Sequence, residues 1–159
     1  MSFAEKITLP RVRQAIIGYL AAVILAYVAA SIFQSLCVLV VLERAGAEIP
    51  AGDWLRTLVH DLYGFTFLGY APLGPAIMAG FIIAMPAAAI IHKLLGLPRA
   101  ILYPLAGATA IATIMYIVKI NFYGVTIFPG TRGWYGYGLQ LIAGALGGIV
   151  FARLSKERP

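Results

Sequence analysis

Four apolar runs leave this chain few folding options: Ala15–Leu42, Ala71–Ile91, Ala100–Val118 and Trp134–Phe151. A helix needs about 20 mainly apolar residues to cross the roughly 30 Å hydrocarbon core of a bilayer. Inside lipid, backbone amides are satisfied only within a helix or a closed barrel. The runs therefore predict an all-α integral membrane protein with four transmembrane helices, forming a single domain over residues 1–159. The first run is about 28 residues and would reach about 42 Å, so it must tilt, kink or project beyond the bilayer. Lys6, Arg11 and Arg13 precede it as in a signal peptide, but a signal-peptide core is only about 7–15 residues long. It reads as a retained span.

Composition agrees with the membrane class. The chain is 62% hydrophobic and 11% charged, against about 25% charged residues in a typical soluble domain. The net charge of +6 raises the question of nucleic acid. The basic residues, however, fall in small groups beside apolar runs and form no basic face, so they read as topological charge and no nucleic-acid partner is expected. Cys37 is the single cysteine. It has no internal disulfide partner and no metal-site companions.

Between the first two spans, Ala51–Leu62 (AGDWLRTLVHDL) carries Trp54, Leu55, Leu58, Val59 and Leu62 at helical spacing, with Asp53, Arg56, Thr57, His60 and Asp61 on the other side. This predicts a short amphipathic helix lying in the membrane interface. Tyr63–Tyr70 is too aromatic for a free loop and reads as an interfacial or re-entrant entry to the second span. Pro86, inside that span, is expected to kink it. Small residues suited to close helix contact recur at Ala22, Ala26 and Ala30, and at Gly144 and Gly148.

Four spans place both termini and the 92–99 turn on one side. That side holds Lys6, Arg11, Arg13, Lys93, Arg99, Arg153, Lys156 and Arg158; the other holds Arg44, Arg56, Lys119 and Arg132. The positive-inside rule then puts both termini in the cytoplasm of a bacterial inner (plasma) membrane. The opposite, outer face is rich in aromatics, most densely in Ile120–Gln140 (INFYGVTIFPGTRGWYGYGLQ).

Two sets of candidate residues follow. Arg132, Lys119, Trp134, Tyr135, Trp54, His60 and Asp61 could hold lipid headgroups or a partner on the outer face, with Arg132 within reach of the acids of the amphipathic helix. Gln34 and Gln140 are polar side chains inside spans, where amides need partners. His60-Asp61 has no accompanying nucleophile motif, His60 and His92 fall on opposite faces, and no span has a carboxylate in its middle. The chain is therefore not expected to be an enzyme, to hold a metal or cofactor, or to work as a proton-coupled four-helix exporter. The leading expectation is an accessory or scaffold subunit of a larger membrane complex, with membrane lipids and other subunits, or copies of itself, as partners. The alternative is an oligomeric small-solute transporter or channel, with Gln34, Lys119 and Gln140 lining a shared cavity.

Overall fold

The computed structural model describes residues 3–65, 73–125 and 127–155, with side chains from Val12 onward. Most of the aromatic stretch Tyr63–Tyr70 lies outside the described residues. The regular elements are helical: α1 (Phe3–Arg44), α2 (Ala51–Tyr63), α3 (Leu73–Leu95), α4 (Arg99–Asn121), a 3-10 turn at Pro129–Thr131, and α5 (Trp134–Leu154). There is no strand among the described residues. Val12–Arg44 of α1, together with α3, α4 and α5, are long and apolar enough to cross a membrane.

α3, α4 and α5 each run a few residues past the ends of their apolar runs. The added residues include His92, Lys93, Lys119 and Arg153, cations that a helix C-terminus accommodates well because its carbonyl dipoles carry negative partial charge. At α1 and α3 the helix ends on a change of backbone conformation. Gly46 (φ 94°) and Gly96 (φ 66°) take the left-handed conformation just past the ends of α1 and α3, which glycine adopts without the Cβ penalty. α3 continues through Pro86 as one unbroken helix.

α5 lies between α1 and α4, while α3 packs on α4 and also touches α1. Close approach of backbones explains the arrangement. Ala22, Ala26 and Ala30 are fully buried on α1. A Cβ on Gly147 would come within 2.8 Å of the Ala22 carbonyl and 2.9 Å of the Ala26 Cβ. On the other side of α5, a Cβ on Gly144 would overlap the Gly107 carbonyl of α4, and one on Gly148 would overlap the Tyr103 carbonyl. With no hydrophobic force between helices in lipid, this kind of contact, dense in van der Waals pairs, is what holds spans together. Around the seam sit Ile77, Phe81, Met85, Tyr103 and Ile111, all buried. The outward faces carry exposed Ile24, Ile83, Ile90, Leu94 and Leu105, the surface a lipid-facing bundle presents.

α1 and α5 are antiparallel: Gly18 packs against Ser155, Ala22 and Ala26 against Gly147, and Gln34 against Gly130 just before α5. α1 thus runs on past the end of α5. From Phe3 to Gly18 it projects by roughly 22 Å at about 1.5 Å per residue, which accommodates its excess length. At the same end, Arg99 Nη2 donates to the Oγ (2.7 Å) and the carbonyl (3.3 Å) of Ser155, and its guanidinium lies over the Tyr103 ring at 4.9 Å. A cation at the last carbonyls of α5 is favourable both as a charge-assisted donor and against the helix dipole.

α2 folds back along α1. Trp54 Nε1 donates to Glu43 Oε1 at 3.2 Å, Ser35 Oγ lies 2.7 Å from Asp61 Oδ2, and the Tyr27 hydroxyl donates to the Leu62 carbonyl. The side of α2 facing α1 holds the half-buried Trp54, Leu58, Asp61 and Leu62, whereas Leu55, Val59 and Tyr63, spaced four residues apart, are exposed.

Candidate functional site

The chemistry-bearing residues collect where the C-terminal half of α1, the end of α2 and the start of α5 meet. Ser31, Gln34 and Ser35 occupy adjacent positions on one turn of α1 and are buried, as are Thr131 of the 3-10 turn and Gln140 of α5. Gln140 Nε2 donates to the Ala30 carbonyl at 2.9 Å. Gln34 lies under the 3-10 turn, where a Cβ on Gly130 would come 2.6 Å from its carbonyl and 2.8 Å from its Oε1. Gly136 in turn lets the Gly130 carbonyl rest on the first turn of α5, since a Cβ there would overlap it. Thr131 Oγ1 closes the turn by donating to the Phe128 carbonyl at 2.9 Å.

Ser35 Oγ, besides its contact with Asp61, lies 3.0 Å from the Ser31 carbonyl, so its single proton has two acceptors. Ser31 Oγ, both amide atoms of Gln34 and Gln140 Oε1 have no hydrogen-bond partner among the described residues. Buried amides and hydroxyls cost free energy unless bonded, and here they gather within one turn of α1 and the α5 residue facing it.

Two of the sequence expectations change. The helical pattern put Asp61 on the polar side of α2, but its carboxylate turns toward α1 and meets Ser35. Arg132 makes no ion pair with the acids of α2; among the described residues it has no acidic partner. Asp61 instead has Ser35 and, at 3.6 Å, the Nδ1 of the exposed His60. Lys119 is exposed and does not join Gln34 and Gln140, and Asn121 bonds back to the Ile117 carbonyl of its own helix. No group of three His, Cys, Asp or Glu side chains able to hold a metal ion occurs among the described residues.

The aromatic end is open. Trp134 and Tyr135 stack with ring centroids 3.6 Å apart and are 75% and 66% exposed; Tyr123 is 99% exposed. Among the described aromatics of this stretch, Phe128 is the one drawn inside, against Phe65 at 6.4 Å. Two grooves flank the bundle. One of about 530 Å³ runs between α3 and α4, walled by alanines and Gly80. The other, about 810 Å³, lies between the end of α1 and the start of α5.

Sequence reasoning missed Ser31, Ser35, Arg44 and Arg99. Ser31 and Ser35 were legible as an i, i+4 pair beside Gln34 on one face of a span. The contacts of Arg99 and the place of Arg44 at a groove depend on which helix lies opposite, which no local pattern encodes. No family model, no curated protein and no solved structure matches the chain.

Proposed function

We propose that this protein is an accessory or scaffold subunit of a larger membrane assembly, seated in a bacterial inner membrane with both termini cytoplasmic. In this reading α2 lies at the outer interface, its exposed Leu55, Val59 and Tyr63 resting in lipid. The observation that carries the reading is the exposed Trp134–Tyr135 stack, with Tyr123 on the preceding connection. Aromatics are enriched where protein partners meet because they bring large contact area at low entropic cost. A stacked pair needs no rearrangement before it docks.

The disposition of the polar groups supports the same choice over transport. Gln34 and Gln140, the amides that could line a solute path, are each 1% exposed within one copy of the chain. Gln140 is spent on an interhelical bond, and Lys119 lies apart from both. No reaction is assigned: Asp61 lies against Ser35 of the same chain and His60 is exposed beside it.

Photo-crosslinking in native membranes, with benzoylphenylalanine in place of Tyr123, Trp134 or Tyr135, tests this. A discrete adduct with one other membrane protein, absent when the same group replaces lipid-facing Ile83, is expected. Adducts to lipid alone at all three positions, from a protein that extracts as a monodisperse monomer, would overturn the assignment.

A further inference from the structure

The groove between α1 and α5 carries a feature that the docking face does not explain. Its walls are apolar, with Leu36 and Val40 on one side and Leu139 on the other, yet its rim holds Arg44 and Arg132. Neither arginine has an ion pair among the described residues. Of the acids on this side, Glu43 accepts from Trp54 and Asp61 lies against Ser35, while Glu48 and Asp53 form no ion pair with either arginine among the described residues. Two unpaired guanidinium groups thus border an apolar trough of about 810 Å³, within the size range of sites that bury small ligands.

We propose that this groove is a binding site for one anionic phospholipid, its acyl chain lying along Leu36, Val40 and Leu139 and its phosphodiester held by Arg44 and Arg132. Charge complementarity selects the occupant. A second apolar helix would leave both cations unmatched, and a zwitterionic lipid would place its own ammonium near them. A guanidinium binds a phosphate in bidentate fashion, and arginines beside a span attract anionic headgroups. The trough is open in front of Gly133, where a Cβ would meet no atom within 4 Å, so the chain can enter next to the arginines. The inference deepens the lipid side of the outer-face reading and needs no protein partner. Because Tyr135 also lines this groove, the docking reading is judged on the crosslinks at Tyr123 and Trp134, and the lipid site on the labelling of Leu36, Val40 and Leu139.

The full-length protein in phosphatidylcholine nanodiscs, given a trace of phosphatidylglycerol with a photoactivatable acyl chain, tests the site by peptide mapping of adducts. Adducts are expected on Leu36, Val40 or Leu139. Unlabelled phosphatidylglycerol should compete them away about 5- to 30-fold better than unlabelled phosphatidylcholine, the range that one to two arginines contribute at a membrane surface. The Arg44→Gln/Arg132→Gln protein should lose that preference, while Arg132→Lys keeps part of it. Gly133→Leu, whose Cβ meets no atom within 4 Å, places an isobutyl group at the entrance and should suppress the adducts with both arginines in place. The proposal is overturned if adducts spread evenly around the bundle, if the two headgroups compete equally in the unaltered protein, or if Gly133→Leu labels as before. Should the double variant fail to fold, the Gly133→Leu and Arg132→Lys proteins decide the matter alone.

Discussion

Gln140 on α5 donates a 2.9 Å hydrogen bond to the carbonyl of Ala30 on α1, at a level where both residues are buried. The bond joins two helices that approach closely through Ala22, Ala26 and Gly147. It looks like a keystone, but its energetics are more modest. The Ala30 carbonyl lies inside a helix, so losing Gln140 does not leave it exposed. The other half of the amide, Oε1, is buried without a partner among the described residues.

Replacing Gln140 by leucine therefore removes one bond and one uncompensated acceptor together. Interhelical hydrogen bonds in membranes average about 0.6 kcal/mol, so Gln140→Leu should stay within about 1 kcal/mol of the parent in detergent unfolding titrations. A loss above about 2 kcal/mol would show that the amide does more than bridge α1 and α5.

Glycines in α5 should divide sharply by what lies opposite. Gly144→Ala places a methyl against the Gly107 carbonyl, whereas Gly138 has nothing within 4 Å of a Cβ. The first should cost at least about 1–3 kcal/mol through overpacking of two backbones that must separate. Gly138→Ala should be neutral or stabilising by up to about 1 kcal/mol, the helix-propensity difference. Unfolding of the two variants side by side checks the contrast; equal behaviour would refute the backbone contact at Gly107–Gly144.

The attachment of α2 rests on few bonds. Asp61→Ala removes the acceptor of the 2.7 Å contact with Ser35, while Ser35 keeps the Ser31 carbonyl. The expected loss is about 1 kcal/mol, confined to α2. Hydrogen exchange of amides 51–63 should quicken several-fold, with α4 and α5 unchanged. Unchanged exchange in α2 would mean that Tyr27, Trp54 and apolar contact hold it alone.

At the opposite end, Arg99 bonds Ser155 and stacks on Tyr103. Arg99→Ala should lower stability by about 1.5–3 kcal/mol, the range for a hydrogen bond to a charged group. Arg99→Lys should recover less than half of that loss, because an ammonium keeps the charge but loses the planar stacking. Full rescue by lysine, read from thermal unfolding in detergent, would leave only the charge as the cause.

The amino-acid sequence determined the helical class, the number of helices long enough to span a membrane, and the small-residue stripes, because each depends on local properties: the length of an apolar run, or the spacing of alanines and glycines along one helix. The ends of α3, α4 and α5 were less legible, since lysine, arginine and histidine extend a helix as readily as they flank it. What only the tertiary structure decided is which stripes face each other. Ala22 and Ala26 meet Gly147, Gly107 meets Gly144, and Gln140 reaches Ala30. Asp61 turned from the expected polar face toward Ser35, and Arg132 came to share a groove with Arg44 instead of pairing with an acid. Those outcomes depend on distances between residues far apart in the chain, and in a bundle made of similar apolar helices the hydrophobic pattern is too uniform to encode them. The glycine contacts, which set how closely α5 can approach α1 and α4, choose the partners.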